Sequence, residues 1–270
     1  MQSDPGPITF LIRFSYPARG GFRAAGGDAA AVAARLYDPA RLERRFALFE
    51  ALTLSSLKAQ TDGDFRCVFL IGEGFPARDR LEAGIAGLPG ASVVALPFLH
   101  AYEAAQRALD TVPAGARRIS LRLDDDDALD IGFVARLRAL LPVLAPLQTG
   151  EMPLIVAFNR GFTLDLTGEA PRFTPVVERL PLGCGTAMIA PAAGRENIYR
   201  RNHRWLAQFY DIYGEARTPA FVRSLHGDND SEGAAVGRVP EMSPAALGAA
   251  LDAGFPFLPE PWRAAAREAG

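Results

Sequence analysis

The chain has 270 residues, a formal net charge of −2, 49% hydrophobic and 22% charged residues. That describes an ordinary globular protein with enough apolar material for a sizeable core. The balanced charge gives no support to nucleic acid or an anionic membrane surface as the main partner. No run approaches the ~18 apolar residues of a membrane span. Residues Met1–Pro7 lack the basic region and apolar core of a secretory signal. A cytoplasmic protein is expected, with peripheral contact at the inner membrane face left open. Arginine far outnumbers lysine, which occurs once, at Lys58, and Cys67 and Cys184 form no metal-like or disulfide spacing, so both read as buried free thiols.

In chain order, Ile8–Tyr16 is a continuous apolar run and predicts a buried first strand. Pro17 ends it, and Gly20-Gly21 and Gly26-Gly27 mark a long loop before the alanine-rich stretch 29–34, a helix or ordered loop. A helix is predicted over Arg41–Gln60, with Leu42, Phe46, Phe49, Leu52 and Leu57 on one stripe. After the turn Asp62-Gly63-Asp64 come a strand over Phe65–Ile71, a helix over Ala77–Ala86, a strand over Ser92–Leu96 and a helix over Ala101–Thr111. Arg118–Leu123 is the fourth strand, Ala128-Leu129-Asp130 reads as a helix start, and a helix over Ile131–Leu141 is stopped by Pro142. Such alternation argues for an α/β fold, a mostly parallel sheet with helices on both faces. Beyond Pro153 the pattern becomes mixed. Short strands are expected at Leu154–Phe158, Phe162–Leu166, Pro175–Leu180 and Thr186–Ile189. Asn197–Tyr213 reads as a helix rich in arginine and aromatics, and a short helix is expected near Ala245–Asp252.

The most informative feature is the quartet Asp124–Asp127 where the fourth strand ends. Four carboxylates at the end of a buried strand are costly without a positive partner. Hard cations such as Mg²⁺ or Mn²⁺ take carboxylate oxygens, and a nucleoside diphosphate would complete their shell. The ligand crevice of an α/β sheet lies at the carboxyl ends of its strands, which favours this reading over a solvated, helix-capping turn. Arg13 and Arg122 lie within apolar strands and need anionic partners: a diphosphate oxygen, or, for Arg122, one of the aspartates.

A helix closing in Ser55-Ser56-Leu57-Lys58-Ala59-Gln60 before an apolar strand, and the segment Arg122-Leu123-Asp124-Asp125-Asp126-Asp127-Ala128-Leu129, are similar to the corresponding parts of GT-A glycosyltransferases of the family 2 type. Together with Ile12-Arg13-Phe14-Ser15 and His226-Gly227-Asp228-Asn229, they resemble a bacterial rhamnosyl transferase family over roughly residues 8–235. The resemblance implies a GT-A-like, Rossmann-type sheet with a smaller mixed acceptor-side half. It implies one domain over 1–270, in which 8–150 bind the nucleotide-sugar, 151–239 form the acceptor side and 240–270 a tail. It also implies Mg²⁺ or Mn²⁺ held by Asp124, Asp126 and His226, with Arg13, Arg122 and Asp124 at a dTDP-, UDP- or GDP-sugar. The family's acidic pair after the second strand is replaced by Ile71-Gly72-Glu73-Gly74, which leaves Glu73 as the substitute contact to the base.

An inverting transfer to a glycan or lipid-linked acceptor needs a general base. Glu178, Asp211, Asp228 and Asp230 are the candidates, with Asp211 preferred for its place on the acceptor-side helix. His203 reads as a surface or packing residue, and Trp205, Phe209 and Tyr210 as core or sugar-stacking residues. The alternatives are a metal-dependent phosphohydrolase or nucleotidyltransferase using the same aspartates, and a non-catalytic GT-A-like sugar-binding protein. No P-loop, dinucleotide-binding glycine fingerprint, zinc-spaced set or nucleophile elbow is present.

Overall fold

The computed structural model describes residues 6–20, 28–228 and 237–268. Strand β1 (Ile8–Arg13) is buried on both sides, Ile8, Phe10 and Ile12 facing one core and Leu11 another, as a central parallel strand must be. Helix α1 (Ala29–Leu36) follows, capped by Asp28 Oδ1, which accepts from Ala31 N at 2.8 Å. Helix α2 (Pro39–Leu48) has the same kind of cap from Asp38, with Pro39 in its first turn. It runs on through a π-helical segment, Phe49–Leu54, into α3 (Ser55–Lys58). The single helix expected over 41–60 is thus one rod whose winding changes midway. Its predicted stripe is split as well: Leu42, Phe46, Phe49 and Leu57 enter the main core, whereas Leu52 packs into a separate one.

Strand β2 (Phe65–Gly72), helix α4 (Arg78–Ile85), strand β3 (Ala91–Leu96), helix α5 (Ala101–Leu109) and strand β4 (Arg117–Asp124) come next, close to the expected positions. Ala128–Leu129 is a departure: it forms the two-residue strand β5, and helix α6 begins only at Phe133. Asp130 explains the delay, because its Oδ1 accepts from Gly132 N at 2.9 Å and holds a turn there. Helix α6 (Phe133–Leu144) also passes through Pro142. That proline sits in the last turn, and buried Leu137, Leu141 and Leu144 keep the helix on the core despite one lost backbone bond.

The second half contributes β6 (Leu154–Phe158), β7 (Arg160–Asp165), β8 (Arg172–Val177), β9 (Thr186–Pro191), β10 (Asp211–Glu215), β11 (Phe221–Leu225), α7 (Pro244–Gly254) and α8 (Glu260–Glu268). The helix expected over Asn197–Tyr213 does not form. Asn202 caps a short 3₁₀ turn, His203–Gln208, whose one buried residue is Leu206, and the chain then extends into β10. Asn197 Oδ1 accepts from Tyr199 N and Asn202 Oδ1 from Arg204 N, each at 3.0 Å, and these side-chain turns compete with a continuous helix.

A seven-stranded sheet has the order β10-β6-β9-β4-β1-β2-β3, in which β4, β1, β2 and β3 are parallel and β9 is antiparallel to both β4 and β6. Alternate side chains of β2, Cys67, Phe69 and Ile71 against Val68 and Leu70, enter cores on opposite faces, so helices cover both. A second, four-stranded sheet, β5-β11-β7-β8, packs with α7 and α8 around Phe162, Val222 and Phe255. This is the α/β architecture expected, a mostly parallel sheet with helices on both faces and a smaller mixed sheet alongside. Cys67 and Cys184 are buried free thiols, as read from the sequence.

Candidate active site

Strands β1 and β4 lie side by side with Arg13 in register with Asp124, so both reach the carboxyl edge of the sheet together. The aspartate quartet turns there, and Asp127 N donates to Asp124 O at 3.3 Å. The π-helical segment clamps this turn from behind: Thr53 Oγ1 lies 3.2 Å from Asp124 O and 2.8 Å from Asp127 O. Each carboxylate then has its own surroundings. Asp124 accepts from Arg122 Nη2 at 3.1 Å. Asp125 is buried against the Arg45 guanidinium. Asp126 Oδ2 accepts from Arg45 Nη1 and from His226 Nε2, each at 2.8 Å. Asp127 Oδ1 accepts from Ser224 N at 3.0 Å, tying the turn to β11.

These surroundings divide the quartet by charge. Burial pushes Asp124 up, but Arg122 and Arg13 outweigh it and hold the carboxyl below its ordinary range. At Asp126 burial is likewise outweighed, by Arg45 and His226. At Asp127 burial acts together with the neighbouring Asp126 and Asp124 and pushes it well up. Asp125 is pushed up by burial in spite of Arg45. Arg45 is only 7% exposed, and Asp125 and Asp126 overcome its burial and keep it cationic.

One cavity opens beside this turn. Five arginines reach it, Arg13, Arg41, Arg45, Arg122 and Arg223, together with Asp124, Asp126 and Asp228. His203 is on its wall too, rather than on the surface or in the core, and burial followed by Arg122 drives its pKa down to about 3, so the ring is neutral. Asp228 is paired with Arg44 at 2.7 Å, and its backbone N–H donates to His226 Nδ1 at 3.3 Å.

The structure therefore brings together Arg13, Arg122, Asp124, Asp126 and His226. It does not bring Glu73 to them. That residue is exposed just past β2, two strands across from β4, or roughly 10 Å at sheet spacing. Nor does it bring Asp211, which opens an edge strand instead of lying on a helix. Asp211 aligns through Leu154 and Ile189 with Ile119, roughly 16 Å down the strands from Asp124 and three strands across. Glu178 is buried just past β8, off the cavity wall. Asp230 and Asn229 lie outside the described residues. Sequence reasoning missed Arg41, Arg45, Thr53 and Arg223. The signal for the first two was their spacing on one helix, four residues apart and so on one face.

The carboxylate and the imidazole with atoms 2.8 Å apart, Asp126 and His226, are the pair that could hold a divalent cation. Asp124 is engaged by Arg122, and no group of three or more acidic, cysteine or histidine side chains among the described residues forms a cage. Two protein donors suit Mg²⁺ or Mn²⁺, which are commonly held by one or two side chains plus substrate phosphates.

Residues 8–238 match the sequence model of the family described as "Putative rhamnosyl transferase". No curated protein matches the chain. Among solved structures, S. aureus TarS is 10% identical with a TM-score of 0.47, over 81% of this chain and 37% of that one. S. aureus TarS 1–349 in complex with UDP-GlcNAc is 10% identical with a TM-score of 0.48, over 97% of this chain and 70% of that one. GalNAc-T7 with UDP, GalNAc and Mn²⁺ is 10% identical with a TM-score of 0.36, over 62% and 24% of the two chains. The chain thus spans little more than a third of full TarS. With the family model covering most of its length, the chain belongs to the "Putative rhamnosyl transferase" family.

Proposed function

We propose that the protein transfers a sugar, rhamnose being the family's suggestion, from a nucleoside-diphosphate donor to a glycan or lipid-linked acceptor, with inversion. The observation that carries this reading is a cavity on whose wall Arg13, Arg41, Arg45, Arg122 and Arg223 stand with Asp124, Asp126, Asp127 and Asp228, Asp126 being paired in turn with His226. Guanidinium groups match phosphate oxygens, and an anion that brings its own divalent cation satisfies both halves of such a site. In this reading residues 8–150 serve the donor, 151–239 the acceptor and 240–270 form a tail within one domain.

Asp126 and His226 would hold Mg²⁺ or Mn²⁺, which when bound supplies Lewis-acid neutralisation of the departing diphosphate. The remaining work belongs to the chain. Arg13, Arg41 and Arg223 face the diphosphate and stabilise the charge that grows as the anomeric carbon–oxygen bond breaks. The acceptor hydroxyl oxygen forms the new bond at that carbon and gives its proton to a carboxylate. Of the three described carboxylates weighed for this role, Asp228 alone lines the cavity, and Arg44 together with burial's lesser opposing effect leaves it ionised near neutrality.

Calorimetric titration of UDP, dTDP and GDP, with and without Mn²⁺, on wild type and Asp126→Ala tests the reading. Metal-dependent binding of one nucleotide, lost in the variant, is the expected result. No binding of any of the three under either condition would overturn it.

A further inference from the structure

The cavity has two unlike ends. Helix α2 packs on one face of the seven-stranded sheet through Leu42 and Phe46, and it carries Arg41 and Arg45 to the end where Asp126, His226 and Asp228 gather. Arg41 is held there by Ser15, whose Oγ accepts from Arg41 Nη1 at 3.1 Å just past β1. Tyr199 packs on the opposite face, and Arg122 Cζ lies 5.0 Å from the centre of its ring. Arg122 and its partner Asp124 belong to this second end, with Gly183 close against both. His203 stands on the cavity wall here, since Arg122 and Asp124 are the charges that act most strongly on its ring. Leu182, Gly183 and Cys184 line the same wall without charge, burial keeping the Cys184 thiol protonated. Neither ring nitrogen of His203 has a hydrogen-bond partner among the described residues.

We infer that His203 is a specificity-determining residue whose imidazole hydrogen-bonds to a hydroxyl of the sugar being transferred. The inference rests on the glycosyltransferase reading above, in which the cation and the diphosphate occupy the end marked by Asp126 and His226. What remains at the second end suits an uncharged ring rich in hydroxyls. Asp124 and Arg122 offset each other there, and the rest of the wall is neutral. A neutral imidazole has one nitrogen that donates and one that accepts, and a sugar hydroxyl does both. A phosphate oxygen only accepts, and the arginines around His203, which are Arg122, Arg204 and Arg223, serve it better than an uncharged ring. Those arginines, together with burial, are what keep the ring uncharged. A site built to pair with a hydroxyl also rejects a sugar that lacks one in the right place, because the polar group is then left unpaired.

Calorimetric titration in the presence of Mn²⁺ tests the inference. The probes are whichever of UDP, dTDP and GDP binds, and the glucose and rhamnose conjugates of that nucleotide. In His203→Ala the free nucleoside diphosphate should bind as it does in wild type, which also shows that the variant is folded. The conjugates should bind it about tenfold more weakly, the size of one hydrogen bond. His203→Gln keeps one donor and one acceptor and should recover most of that loss. Conjugate affinity unchanged in His203→Ala, a loss shared equally by the free nucleoside diphosphate, or no recovery in His203→Gln would overturn the inference. So would a wild type that binds the nucleoside diphosphate and neither conjugate. A wild type that binds none of the nucleotides and none of their conjugates would instead sink the transferase reading on which the inference stands.

Discussion

Arg45 offers the sharpest test of how the acidic turn is held. It is 7% exposed and touches both Asp125 and Asp126, with His226 Nε2 at 3.4 Å from its Nη1. Arg45→Met keeps most of the volume and removes the cation. Removing one partner of a buried ion pair costs about 3–5 kcal/mol, because the charge left behind is uncompensated. For a chain of this size that lowers the thermal midpoint by roughly 10 °C. The pH dependence identifies the cause. In wild type, burial raises Asp126 but Arg45 and His226 hold it low. Its stabilising contribution is therefore present above the unfolded value of about 3.9 and lost as pH falls through the folded one. Without Arg45, burial loses its largest opponent. Asp125 and Asp126 then titrate high, and the variant loses stability as pH rises above about 4. Urea unfolding of both proteins at acid and neutral pH should show a gap that widens toward neutrality. Adding Asp125→Asn and Asp126→Asn to the variant should narrow it, since an uncharged set buries more cheaply. A gap under about 1 kcal/mol, or one equal at both pH values, would refute the account and reduce Arg45 to a packing residue.

Three further outcomes are expected. Thr53→Val leaves the Asp124 and Asp127 carbonyls without their hydroxyl donor, so urea unfolding should show a loss of about 1–3 kcal/mol. Gly183→Ala places a methyl 3.2 Å from Arg122 Nε and 3.4 Å from Asp124 Oδ2. Calorimetry should find nucleotide affinity lowered roughly tenfold, about 1.4 kcal/mol, with the fold intact. His203 has its pKa depressed to about 3. The unfolded chain thus takes up a proton below about pH 6.5 that the folded chain refuses, and acidification costs stability on this account. His203→Gln should flatten the fall of unfolding free energy between those two pH values, by on the order of 4 kcal/mol at its acid end.

The first half of the fold was legible because its signals are local. The apolar runs of β1 and β2, the alternation along β4 and the stripe on α2 are each set by a few neighbours in sequence. Asp126 and His226 could be paired only through resemblance, since 100 residues separate them. Arg45 was illegible for a different reason. Beside Leu42 and Phe46 it reads as part of a solvated face, and only the arrival of the turn after β4 makes that face interior. The stretch 197–213 misled in the opposite direction. Its aromatics and arginines imitate helical spacing, but Trp205 and Phe209 face outward, and the side chains of Asn197 and Asn202 hold turns that break the helix. Asp211 was chosen on the strength of that helix and fell with it. The four-stranded sheet was legible only in part: the strands expected at Phe162–Leu166 and Pro175–Leu180 overlap β7 and β8, but β5 has two residues and exists through its pairing with β11, about ninety residues on.

The π-helical segment works as a phase adapter. Arg45 and Thr53, eight positions apart, would point about 80° away from each other on a regular α-helix at about 100° per residue. Turns closed by i→i+5 bonds rotate less per residue and bring the two into line on the aspartate turn. One rod therefore presents a guanidinium to the carboxylates and a hydroxyl to the carbonyls of the same four residues. Removing a single residue between Phe49 and Leu54 would leave the rod helical yet turn its two ends out of step. The length of this helix is thus constrained as tightly as its composition: a shortened chain would keep every side chain of the site and lose their convergence.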